Sequence, residues 1–212
     1  EDEKLKKQLY KDIELKVNDT TIIASNTSSI DVDYLAEGFT KPERFVGMHF
    51  FSPVNRMPLV EIIPSKFTSK QTIATTVNLV KKIKKVPIVV KNCPGFLVNR
   101  IFLPYINEAI YCLLDGASID QVDRVLEDFG MPMGPLALGD NVGLDVGIKV
   151  LCVLEKSYPE RMKVSDFAKN VLFDNTFLGK KTGKGFYDYT SKEKKVNNEI
   201  LNKINSFSNA KV

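Results

Sequence analysis

Apolar residues recur along this chain with two different periods, and the period changes with position. Leu5, Leu9, Ile13 and Val17 stand four apart in a charged stretch, which predicts an amphipathic helix over 4–17 ended by Asn18-Asp19. TTIIA at 20–24 is short, β-branched and bounded by turn residues, so it reads as a buried strand. The polar run Ser25-Asn26-Thr27-Ser28-Ser29 comes next, too short for a linker and placed where a functional connection would leave the strand. A short helix is expected over 32–36, before Gly38. FVGMHFF at 45–51 and PLVEII at 58–63 read as two more strands, with Pro53 and Pro58 punctuating the link. Ser69 opens a helix carrying Ile73, Val77, Val80 and Ile83 at helical spacing. Lys81, Lys82, Lys84 and Lys85 close it, well placed against the helix dipole. VPIVV at 86–90 predicts a further buried strand. Strands alternating with helices argue for βαβ wiring and a parallel or mixed sheet.

After Pro94-Gly95 the alternation stops. Residues 101–114 are apolar nearly all round, as in a buried helix. Ser118 with Gln121 three residues later caps a helix that runs to Phe129 and stops at Gly130. Helices over 142–155 and 164–173 complete an all-helical second half. The segment 179–189 is rich in Gly and Lys, and 191–212 is polar with a weak stripe at Val196, Ile200 and Ile204. The expected organisation is therefore an α/β domain over 1–94, a helical domain over 95–190 and a polar tail over 191–212.

Composition narrows the class. At 212 residues the chain can bury a sizeable core, and 43% hydrophobic with 26% charged residues excludes wholesale disorder. No run approaches the roughly 18 apolar residues of a membrane span. Three cysteines without a CxxC pair, beside one histidine, exclude a disulfide scaffold or zinc finger; the cysteines read as small buried apolar residues. A net charge of +4 is too mild for nucleic acid but suits a phosphorylated small molecule. A protein of a reducing compartment is the expectation. The opening Glu1-Asp2-Glu3 has no initiator Met, leader or transit pattern and reads as a point inside a longer polypeptide.

The single histidine, His49, is the one side chain whose unperturbed titration lies near neutrality, so acid–base chemistry at pH 7 would fall to it. Period-two alternation sets it on one strand face with Phe45 and Gly47, near the carboxyl end. Glu61 interrupts an apolar strand, where an unpaired carboxylate would be costly. Either Glu61 faces water from an edge strand, or it pairs with His49 and orients it as a base; a merely structural histidine stays open. Ser28 and Ser29 either bond a substrate oxygen or cap the next helix or turn. Asn99 either caps the helix after Pro94-Gly95 or bonds a ligand. GKKTGKG at 179–185 is not a phosphate loop: the glycine spacing is wrong, no Ser/Thr closes it and no strand precedes it.

These residues carry a family resemblance. The segments SNTSS at 25–29, GMHFFSP at 47–53 and LVEII at 59–63 stand in one order with PGFLVNR at 94–100. MGP at 133–135, GLD at 143–145 and KGFY at 184–187 continue the series. Together they resemble the NAD-dependent L-3-hydroxyacyl-CoA dehydrogenases of fatty-acid β-oxidation, nearest to the dehydrogenase part of the multifunctional α-chain. The resemblance implies the carboxyl half of a Rossmann-type NAD-binding domain, then a helical substrate-binding and dimerisation domain. It implies oxidation of (S)-3-hydroxyacyl-CoA to 3-oxoacyl-CoA, with His49 as base, Glu61 orienting it, and Ser28 and Asn99 on the substrate. Glu1, Lys6 and Asn26 would line the cofactor site. Ser52 stands where the family often has Asn, which shortens or removes a hydrogen bond to substrate. No G-x-G-x-x-G occurs, so the pyrophosphate cradle should be missing. The implied partners are an acyl-CoA and either a second copy or a larger multifunctional complex. The implied setting is cytoplasmic, with mitochondrial matrix or peroxisome as alternatives. A competing expectation is a module that binds acyl-CoA or dimerises but does not turn over. A third is a Rossmann dehydrogenase acting on a sugar or free hydroxy acid.

Overall fold

The computed structural model describes residues 3–172, 176–191 and 193–208. The chain divides into two compact units, Glu1–Val98 and Asn99–Val212.

The first unit is built on a four-stranded mixed sheet of order β1-β2-β3-β4: β1 Ile23–Ser25, β2 Phe45–Phe50, β3 Leu59–Pro64 and β4 Val86–Val89. β1 runs parallel to β2, β2 antiparallel to β3, and β3 parallel to β4. Both parallel pairs are joined through a helix, α2 Val32–Ala36 and α3 Lys70–Lys82 respectively, the connection parallel strands require. Alternation along β2 sorts the faces. Phe45 joins Tyr10, Leu35 and Ile63 on one side, while Val46 packs with Val60, Ile62 and Val80 on the other. Gly47 is small for a reason: a Cβ there would press on Ile63 and Val32 at 3.0 and 3.1 Å, so glycine lets α2 lie close on the sheet.

Several expectations change in this unit. Helix α1 spans Glu3–Glu14, shorter than the expected 4–17, and its inward residues are Tyr10 and Ile13, with Val17 joining the same cluster from beyond the helix end; Leu5 and Leu9 are 66% and 50% exposed. Tyr10 takes their place because its ring packs on Phe45 and its hydroxyl lies 2.6 Å from the buried Ser25 hydroxyl. The first strand is shifted to Ile23–Ser25. In α3 the inner line is Thr72, Thr76 and Val80, flanked by Val77, and Ile83 lies outside. The threonines can be buried because their hydroxyls donate to the Glu43 and Thr72 carbonyls. β4 is an edge strand, with Val86 and Val89 about half exposed, rather than a buried one.

The second unit is helical, with one addition. Helix α4 begins at Val98 and runs to Leu114; α5 Ile119–Phe129, α6 Pro135–Val142 and α7 Leu144–Ser157 come after it. A short wide turn at Ala168–Leu172 precedes a two-stranded ribbon, β5 Tyr187–Asp188 and β6 Lys195–Val196, and then α8 Asn198–Phe207. The Ser118 hydroxyl accepts the Gln121 amide and Gly130 stops α5 at φ 114°, as the pattern predicts. The helix expected over 142–155 is α7, and the helix before it, α6, was not expected; Gly143, φ 103°, separates the two. The α4 stripe is one-sided, with Ile101 66% exposed, and Cys112 is exposed on its outer face rather than buried. Nor is 191–212 only a polar tail: Ile200 and Ile204 of α8 belong to the core of this unit. The expected 164–173 helix extends onto residue 173, which lies outside the described residues.

Candidate active site

The antiparallel register of β2 and β3 sets His49 directly opposite Glu61, on one face of the sheet. Their side chains meet: His49 Nδ1 donates to Glu61 Oε2 over 2.8 Å. The histidine is 7% exposed and the glutamate 0%. β3 is an inner strand, so the edge-strand reading of Glu61 fails. A carboxylate with no water needs its oxygens satisfied by protein, and the second oxygen is. The amides of Leu97 and Val98 both donate to Oε1 at 2.9 Å. Leu97 ends the turn and Val98 is the first residue of α4, so neither amide has an acceptor within the helix. Glu61 is thus held by three donors, and the imidazole's orientation results from it.

The ring is also boxed by aromatics. Phe51 lies 4.6 Å from it and Phe96 5.9 Å in an edge-on arrangement. With Nδ1 bonded to Glu61, the neutral ring carries its proton there and leaves Nε2 with a lone pair. Among the described residues the one hydrogen bond of the ring is that between Nδ1 and Glu61, and Nε2 has no protein partner. The geometry is that of a base held by an acid, with one nitrogen available.

The other expected residues fall in several places. Asn26 leaves the carboxyl end of β1, beside that of β2, and its Oδ1 accepts the Phe50 amide at 3.0 Å. Its amide NH2 group is therefore the part suited to bonding a ligand oxygen. Ser28 is half-buried on the same connection, which Thr27 shapes by accepting the Ile30 amide. Lys6 is half-buried on α1, and Asn99 is half-buried in the first turn of α4. Glu1 lies outside the described residues. Phe51, Phe96 and the two α4 amides were not expected; PGF marks a turn, but backbone N–H groups leave no residue-type signal.

Buried acids occur in the second unit too, and they do something else. Asp140 accepts the amides of Phe186 and Tyr187 and the Tyr189 hydroxyl, and burial pushes its carboxyl up to about 6. Asp123 accepts the amides of Leu136 and Ala137 at the start of α6 and the Tyr187 hydroxyl. A Cβ on Gly185 would collide with the Asp140 carboxylate, and one on Gly134 with Asp123. The GKKTGKG segment is thereby explained: Lys180 donates its amide to the Asp140 carbonyl and Gly179 its amide to the Lys184 carbonyl, which folds the segment onto α6.

Comparison with known proteins agrees with this layout. The family pattern described as "3-hydroxyacyl-CoA dehydrogenase, NAD binding domain" matches residues 1–93, and its companion "3-hydroxyacyl-CoA dehydrogenase, C-terminal domain" matches 95–189. A crystal structure of (S)-3-hydroxybutyryl-CoA dehydrogenase from Ralstonia eutropha superposes with TM-score 0.85 at 42% identity, over 90% of this chain and 68% of that one. The dehydrogenase part of multifunctional enzyme 1 from C. elegans aligns over 100% of this chain and 49% of its own, with TM-score 0.62 and 34% identity. The chain belongs to the 3-hydroxyacyl-CoA dehydrogenase family. Among curated relatives, the fatty acid oxidation complex subunit alpha of Vibrio cholerae serotype O1 is 48% identical over 201 residues, and that of Shewanella loihica 50% over 195. These alignments cover 94% and 92% of this chain, which spans 28% of the length of either relative.

Proposed function

We propose that this chain carries the catalytic pair of an NAD-dependent dehydrogenase that oxidises (S)-3-hydroxyacyl-CoA to 3-oxoacyl-CoA in fatty-acid oxidation. One observation carries the reading: a buried imidazole is fixed by a buried carboxylate, and among the described residues nothing bonds its second nitrogen. His49 Nε2 takes the proton of the substrate's 3-hydroxyl while the C3 hydrogen leaves with its electron pair. When bound, NAD supplies the acceptor for that hydride. Glu61 keeps the imidazole in the Nδ1–H form and stabilises the imidazolium that results. In the reverse direction the same imidazolium donates to the oxygen at C3. By the family resemblance Ser28 and Asn99 are assigned to the substrate, Lys6 and Glu1 to the nicotinamide end of the cofactor, and Asn26 to the cofactor. The donor at Asn26 suits that role. The pyrophosphate needs other residues, since no G-x-G-x-x-G is present in these 212 positions.

The whole protein is read as part of a fatty-acid oxidation assembly, the setting its bacterial relatives' names give them. Among the described residues no helix is long and apolar enough to cross a membrane. A cytoplasmic setting is proposed on the same relatives; nothing in the comparisons supports mitochondrion or peroxisome. The test is NADH oxidation with acetoacetyl-CoA by the whole protein. Turnover of the thioester but not of free acetoacetate is expected. Equal turnover of the free acid overturns the substrate class. Because the chain spans 28% of its relatives and lacks the glycine fingerprint, the 212 residues alone are expected to bind acyl-CoA without turnover.

A further inference from the structure

The mechanism uses Glu61 as a fixed group, and the second of its carboxylate oxygens is fixed by a turn. Residues 94–97 reverse the chain between β4 and α4. Gly95 and Phe96 both stand in the left-handed region, at φ 75° and 47°. Glycine adopts this conformation freely; an aromatic residue does so only under compulsion. Lys84 is the one other non-glycine residue with positive φ among those described, and it is exposed at a helix end, whereas Phe96 is 2% exposed. Two things hold Phe96 there. Its amide donates to the Cys93 carbonyl at 2.9 Å, closing the turn. Its ring is packed into the cluster of Tyr10, Ile30, Leu35 and Phe45, with an edge on the His49 imidazole. The next two residues are Leu97 and Val98, whose amides grip Glu61. Both sides of the pair thus meet in one residue: its ring touches the histidine, and its backbone aims the donors at the glutamate. Glycine would relieve the backbone but surrender the ring, so the side chain is the part that the strained conformation serves.

We infer that Phe96 is a positioning residue for the His49–Glu61 pair, holding Glu61 through the Leu97 and Val98 amides and the imidazole through its ring. This rests on the reading of His49 as the base, and the experiment separates the two. Because the chain has one histidine, nitrogen-15 NMR of the imidazole reports its tautomer on this chain without any activity. The wild-type ring is expected as the Nδ1–H form; a wild-type ring protonated at Nε2 instead would remove the base assignment itself, not the role of Phe96. Phe96→Leu and Phe96→Gly are expected to let the Nε2–H form appear at about a tenth of the population or more. In the whole protein kcat should fall about tenfold or more, with KM for acetoacetyl-CoA within about twofold. Val98→Pro deletes one donated amide at the first helical residue, where proline is accommodated, and should move the tautomer the same way with the ring of Phe96 intact. If the variants fold and keep the wild-type tautomer and kcat, the inference is wrong. A Phe96→Gly chain that does not fold leaves the decision to Phe96→Leu and Val98→Pro.

Discussion

Glu61 in the first unit and Asp140 in the second are both carboxylates with no exposed surface, and both accept two backbone amides. They differ in the third partner. Glu61 binds an imidazole, which has a second nitrogen to offer; Asp140 binds the hydroxyl of Tyr189, whose proton burial holds more tightly than usual. The Asp140 cluster is closed, every partner being a donor already committed within the fold. The Glu61 cluster is open at one atom. A fully buried carboxylate is shared by site and scaffold alike, so what separates the two clusters is the free valence at His49.

The comparison predicts opposite phenotypes. His49→Gln should lower kcat of the whole protein about a thousandfold, roughly 4 kcal/mol, with the melting temperature within a few degrees of wild type. Steady-state kinetics beside a thermal melt checks it, and a near-normal kcat would dissolve the distinction. Asp140→Ala should do the reverse. Two buried amides and the half-buried Tyr189 hydroxyl lose their acceptor, costing about 3–4 kcal/mol in denaturant unfolding, while the His49 ring signals stay where they are. The next effect is a pH dependence. The Asp140 carboxyl, raised chiefly by burial to about 6 from an ordinary 3.8, binds its proton more tightly folded than unfolded. Stability from this group is complete below about pH 4 and is lost as pH rises through 6, by up to roughly 3 kcal/mol. Unfolding measured from pH 4 to 8 should show that decline, and Asp140→Asn should flatten it whatever its absolute stability. A flat wild-type profile would mean the closed cluster does not titrate. Smallest is Ser118→Ala, which removes the one hydroxyl accepting the Gln121 amide. About 1 kcal/mol is expected from this uncharged cap, and a larger loss would mean that this cap supports more than the first turn of α5.

Much of this was legible in the sequence for a simple reason. Alternation along 45–50 fixes which face His49 shares with Gly47, and a glutamate amid Leu59, Val60, Ile62 and Ile63 has few ways to be tolerated. Strand pairing then does the rest. Legibility fails where backbone supplies the chemistry: the α4 amides on Glu61, or the Tyr187 amide on Asp140, leave no mark in residue type. It fails too where a polar residue replaces an expected apolar one, as with Thr72 and Thr76, because the carbonyls that satisfy them come from elsewhere. Asp123 did leave a trace: it stands one residue from Val122 and four from Ile119, on the inward side of α5. An acid at that helical phase marks a buried acceptor, and tertiary packing alone says for whom.

The grip of two peptide N–H groups and one imidazole on Glu61 has a consequence for the timing of charge. All three dipoles point at the carboxylate before any ligand arrives, so proton uptake by the neighbouring ring finds its counter-ion already in place. Water at an exposed acid would have to turn at that moment; these rigid groups do not. The surroundings are set in advance for the charged state, and the barrier carries little reorganisation on that side of the ring.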